Sequence, residues 1–266
     1  MINFTLYKRE MKNSWKLCVI LIAVLTMYIA LIIGMYNSEM QDSLNEIVEL
    51  MPGIMTALGM SANAATLMSF MASYLYGMLL IVFPMVFSII RGNALIAKYV
   101  DRGSMVALLA APMKRSVIAF TQMIVLGTCL FAFIAYTTVI QIVVAQAYFP
   151  GALETGKLLF LNAGLLCLQL FIGGICFFAS CLFSDANHSV AFGAGIPTLM
   201  YIVQMLANMG GKLEKAKYFT FLTLFNPNGI LAGECAAIAG IPLLLICAIV
   251  LFAAGIMIFN RKDLHI

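Results

Sequence analysis

Six runs of about 20 or more apolar residues constrain what this chain can fold into more than any other feature. They cover residues 17–36, 67–90, 117–147, 158–183, 190–209 and 236–259, with short polar connections between them. At 1.5 Å per residue, a helix of about 20 residues crosses the roughly 30 Å of bilayer hydrocarbon. Lipid offers the backbone no hydrogen bonds, so each run must satisfy its own amides and carbonyls, as a helix does. A membrane barrel would instead show segments of about 10 residues alternating in polarity. The composition agrees: 64% of the chain is hydrophobic and 10% charged, against about 45–50% and about 25% in soluble domains. The expectation is an all-α, polytopic integral membrane protein with six transmembrane helices in one domain, residues 1–266. The longest connection on the basic side, about 26 residues, is too short for a core of its own.

Orientation is read from lysine and arginine. With the amino terminus inside, the inner segments carry Lys8, Arg9, Lys12, Lys16, Arg91, Lys98, Arg102, Lys114, Arg115, Arg261 and Lys262. The outer segments carry Lys157, Lys212, Lys215 and Lys217. Eleven against four accounts for all 15 basic residues and places both termini in the cytoplasm of a multi-pass cell-membrane protein. No cleavable leader is expected, because the first apolar run is long enough to span and lacks a small-residue cleavage site. Residues 1–16 interleave Phe4, Leu6, Tyr7, Met11 and Trp15 with four cations, which predicts an amphipathic helix on the inner interface in contact with lipid. Between residues 37 and 66, Leu44, Ile47, Val48, Met51, Ile54, Met55 and Leu58 recur at three- and four-residue steps around Pro52. This pattern fits a short helix on the outer interface, although a plain loop fits the 59–65 end equally well.

Several chemistries are excluded or left without support. The formal charge of +4 is scattered and does not point to nucleic acid. Six of the seven cysteines lie in apolar runs, where cysteine acts as a small hydrophobe, so neither disulfides nor a metal site is expected. Gly151-Ala-Leu-Glu-Thr-Gly156-Lys157 mimics a phosphate-binding loop, yet Leu158 stands where a hydroxyl must hold magnesium, and no strand precedes it. The two histidines, His188 and His265, sit in a turn and at the tail, away from any serine–carboxylate constellation. The chain is expected to bind no cofactor and to catalyse nothing itself. None of its eleven acids lies mid-span, whereas proton- or ion-coupled transporters place ionisable groups there. Uncharged polar residues do occur in the spans, Asn162 among them, and Thr128, Gln141, Gln169 and Gln204 are candidates for lining a path. Helix–helix hydrogen bonding is the simpler role for each.

The most specific stretch follows the second run: Asp101-Arg102-Gly103-Ser104, then Leu108-Leu109, Pro112 and the pair Lys114-Arg115. Physically it reads as a small helix pinned at the inner surface and ended by proline. The run resembles the acidic-x-Gly-Ser/Thr…Leu-Leu…Pro…Arg motif of ATP-binding-cassette permeases of the type-2 exporter class. Lys8-Arg9-Glu10, Phe225-Asn226-Pro227-Asn228-Gly229 and Arg261-Lys262-Asp263 resemble that family's interfacial helix, re-entrant outer hairpin and closing segment.

The resemblance implies a permease subunit that pairs with a second permease and with two cytosolic ATPase subunits, which hold ATP and Mg2+. It implies that Asp101, Arg102, Gly103, Ser104, Leu108, Leu109 and Pro112 contact the ATPase. Ser184 and Asp185 stand at a second inner contact, where the basic residue common in the family is missing. Export of an amphipathic substrate, such as a drug, peptide antibiotic or lipid-like molecule, is the implied function. A stand-alone channel or facilitator and a non-transporting sensor or scaffold remain the alternatives, distinguishable by flux without nucleotide and by the neighbouring genes.

Overall fold

A computed structural model of the chain describes residues 2–37, 47, 50–60, 66–105 and 114–262. Every regular element among them is helical. Six helices are long and apolar enough to cross a membrane, at the positions the apolar runs mark. Part of the expected outer-interface helix, Leu44 and Val48 included, lies outside the described residues, as do Leu108, Leu109, Pro112 and Asp263.

Helix α1 runs from Phe4 to Gly34 without a break, its first turn capped by Asn3, whose side chain accepts from the Leu6 amide. No glycine or proline interrupts it before Gly34, so the expected interfacial segment and the first span form one rod. At 31 residues it is about 46 Å long. Helix α2, Pro52–Ala57, begins at Pro52 rather than being broken by it, since proline's missing amide costs nothing in a first turn.

The second span is composite. Thr66 and Ser69 form a reciprocal capping box at the start of α3, Leu67–Tyr74. A wide π turn, Leu75–Leu79, leads into α4, Leu80–Leu95, which contains Pro84. Pro84 has no amide to give the Leu80 carbonyl. Gln169, from another helix, supplies the donor: its Nε2 lies 3.3 Å from Leu80 O and 2.9 Å from Ile81 O. A kink at Ile96 separates α4 from the five-residue α5, Ala97–Asp101.

Helix α6, Arg115–Tyr148, has 34 residues, about 51 Å, and extends well beyond the hydrocarbon. Helix α7, Thr155–Leu182, is the central element: α4, α6, α8 (Ala186–Asn208) and α10 (Cys235–Arg261) all pack against it. Small residues allow this. A Cβ on Gly92 of α4 would stand 2.6 Å from Cys176 Cβ of α7, and one on Gly193 of α8 would stand 3.4 Å from the Cα of the same cysteine. Close backbone approach of this kind is how helices gain dispersion contact where lipid removes the hydrophobic drive.

Between α8 and α10 the chain folds back on the bundle. Two 3-10 helices, Gly211–Phe219 and Phe221–Leu224, precede the short α9, Pro227–Ala232. Thr220 donates to Met200 O at 3.1 Å, two turns down α8 from its end. Phe221 packs edge-on against Phe171 of α7 at 4.9 Å. Leu222, Phe225 and Ile230 are buried in the core. The Leu224 carbonyl rests on Gly240 so closely that a Cβ there would collide with it.

Candidate functional site

Both ends of the described chain, and most of its cations, lie at one end of the bundle, and there the exposed turn after α5 is held in place. Ser180 Oγ of α7 accepts the first amide of α5, from Ala97, at 2.8 Å. Gly103 adopts φ +66°, the left-handed conformation that ends a helix and that glycine takes without a Cβ penalty. Ser104 Oγ donates to Tyr99 O at 3.2 Å, and Met105 is fully buried. Asp101, Arg102, Gly103 and Ser104 are therefore exposed on a turn whose two flanks are anchored. The glycine in the motif has a local physical reason.

Behind that turn sits a cluster that residue order does not reveal. Glu10 of α1 is 1% exposed and pairs with Arg91 of α4 at 3.0 Å. The Tyr99 hydroxyl of α5 donates to the other Glu10 oxygen at 2.5 Å. A buried carboxylate costs several kcal/mol unless it is paired and hydrogen-bonded, and here it is both. Three elements meet at one carboxylate: α1, the end of the second span and the segment bearing the exposed turn. The only signals in the sequence were a lone acid among cations and an arginine ending an apolar run, with nothing local to join them.

Further contacts at this end cap helices. Asp185 accepts from the amides of Asn187 at 2.6 Å and His188 at 3.4 Å, starting α8. Those amide donors, Asn187 first, hold its carboxyl below the usual carboxylate range; Ser184 beside it is exposed. Lys262 Nζ donates to the last carbonyls of α7, Leu182 O at 2.9 Å and Cys181 O at 3.3 Å. Burial lowers its pKa from the ordinary lysine value. Arg115 Nη1 in turn donates to Lys262 O at 2.9 Å, so α6, α7 and α10 are tied together at their ends.

The four path candidates are not brought together. Thr128 bonds within α6 and accepts from Tyr7 of α1 at 3.3 Å; it borders an apolar groove between α6 and α10. Gln169 caps the Pro84 kink. Gln141 is fully buried in a polar triad, its Oε1 accepting from Asn162 at 3.0 Å and lying 3.1 Å from the Tyr76 hydroxyl. Gln204 alone reaches a cavity, of about 380 Å³ at the opposite end of the bundle, which Tyr76, Tyr201, Asn208, Thr223 and Asn226 also line. Thr223 donates to Gln204 Oε1 at 2.9 Å. Lys217 at its rim is neutralised by Glu214 at 2.7 Å, which lowers the Glu214 pKa and raises that of Lys217. The cavity thus mixes polar groups with a larger apolar lining and is nearly neutral, with the Tyr76 triad beneath it.

Among the described residues no cluster of three potential metal ligands occurs. No curated protein and no solved structure matches the chain. The model of the ABC-2 family transporter proteins matches residues 5–264, and a six-span bundle of this kind, matched over nearly its whole length, belongs to that family: the chain is a multi-pass membrane permease of an ATP-binding-cassette transporter.

Proposed function

We propose that this permease exports an amphipathic substrate, driven by a separate cytosolic ATPase that docks on the exposed Asp101–Ser104 turn. The observation that carries the proposal is the junction at Glu10. A force applied to the turn reaches α5 through its backbone and α4 and α1 through Tyr99, Arg91 and Glu10, so a docked partner can bias the packing of two spans. ATP binding would draw two ATPase subunits together and move the turns of two permease copies, favouring one of two packings by the difference in docking energy. ATP and Mg2+ belong to the partner in this scheme. The basic end would face the cytoplasm, and the neutral cavity lined by Gln204 would be the outer mouth, with the folded-back 221–232 segment as its wall. A mouth without net charge suits an amphipathic cargo better than an ion.

The test is co-expression of the chain with the ATPase encoded beside it, with a purification tag on one of them. Co-purification and ATP turnover that falls severalfold in Arg102→Glu are expected. Separate elution, or turnover indifferent to Arg102→Glu, would overturn the mechanism.

A further inference from the structure

A second cavity, of about 420 Å³, lies at the basic end between α1, α4 and α5, and four cations line it, Arg9, Arg91, Lys98 and Arg102, with Glu10 the one carboxylate among the described residues. Glu10 is already committed to Arg91 and Tyr99, so among the described lining residues no further carboxylate offsets Arg9, Lys98 and Arg102. Arg91 is nine-tenths buried, and its Nε has no hydrogen-bond partner. Four cations around one carboxylate that is already paired call for an anion with several acceptor oxygens.

The course of α1 says which kind of anion. Arg9 and Asn13 line the cavity. Continuing from them at steps of three and four, the same face of the helix carries Lys16, Ile20, Val24, Met27 and Leu31. Lys16 is exposed, and so are the four apolar residues, at 38% to 61%. The cavity and an exposed apolar stripe therefore share one face of α1, with Lys16 between them. A soluble anion has no use for that stripe, but a molecule with a phosphate head and acyl tails fits both parts.

We propose that this cavity binds the headgroup phosphate of an anionic phospholipid, with the acyl chains lying along the near half of the stripe, at Ile20 and Val24. The site goes beyond the permease assignment, although Arg102 is shared with the proposed docking turn. The lipid would brace α1 against the α4–α5 junction, so the membrane's anionic lipid content would set how firmly that junction is held.

The test is native mass spectrometry of the full chain released from detergent in equimolar phosphatidylglycerol and phosphatidylcholine. Wild type is expected to retain the anionic lipid preferentially. Arg9→Gln combined with Lys98→Gln should lower that preference about thirtyfold, given roughly 1 kcal/mol for each of the two cations near a lipid headgroup. Lys8→Gln combined with Lys12→Gln removes the same charge from α1 outside the cavity and should leave the preference intact. Equal retention of the two lipids by wild type would overturn the proposal, as would an equal loss in both double variants. Displacement of the retained lipid by millimolar inorganic phosphate would reassign the cavity to a soluble anion and overturn it too.

Discussion

Pro84 cannot donate a backbone hydrogen bond, and Gln169 donates to the Leu80 carbonyl that proline leaves open. The sequence alone presents that glutamine as a polar group in an apolar run, equally suited to lining a path. Its partner is a backbone atom on another helix, and no spacing rule reaches it. Gln169→Leu should lower stability by about 1 kcal/mol, within the range found for interhelical bonds in membranes. The loss should shrink toward zero in a Pro84→Ala background, where the helix recovers its own donor. Unfolding of all four proteins in detergent measures the cycle; an equal loss in both backgrounds would rule out the capping role. Gly103 is the opposite case: its place in the motif was legible in order, and its positive φ accounts for it.

At the scale of elements, helix lengths and positions follow the apolar runs closely, because lipid leaves the backbone no alternative to helix. How the helices lie against one another depends on a few small residues. Gly92 meets Cys176 where α4 crosses α7, so Gly92→Leu should force the pair apart and cost about 1–3 kcal/mol. Gly127 of α6 has nothing within 4 Å of its would-be Cβ. Gly127→Ala should therefore be neutral or stabilising by up to about 1 kcal/mol, through helix propensity alone. Melting temperatures in detergent separate the two, and a Gly92→Leu protein as stable as wild type would disprove the crossing. The interfacial segment at the amino terminus shows the limit of pattern reading. Amphipathicity marks which face is polar, but whether residues 4–16 bend away from the span depends on a breaker, and none is present.

At the scale of the whole molecule, the basic end and the cavity lined by Gln204 lie at opposite ends of the bundle. Cys235, at the start of α10, is the one exposed cysteine among the seven and lies at the cavity end. If the basic end is cytoplasmic, a membrane-impermeant maleimide should label Cys235 in intact cells, and Cys235→Ser should abolish that label. Ser104→Cys in the Cys235→Ser background should then label only after permeabilisation; labelling of intact cells at position 104 would invert the orientation and remove the proposed docking surface from the ATPase. Amino-acid order by itself determined that the chain spans a membrane six times as helices, and which end is basic, because desolvation of the backbone and the bias of cations act on local composition. Only the tertiary structure decided that Glu10, Arg91 and Tyr99 share one carboxylate, that Gln169 closes the Pro84 kink, and that three of the four path candidates bond to other helices or border lipid. In each case the partner lies far along the chain, and the low dielectric between the helices makes an unpaired polar group costly enough to select it.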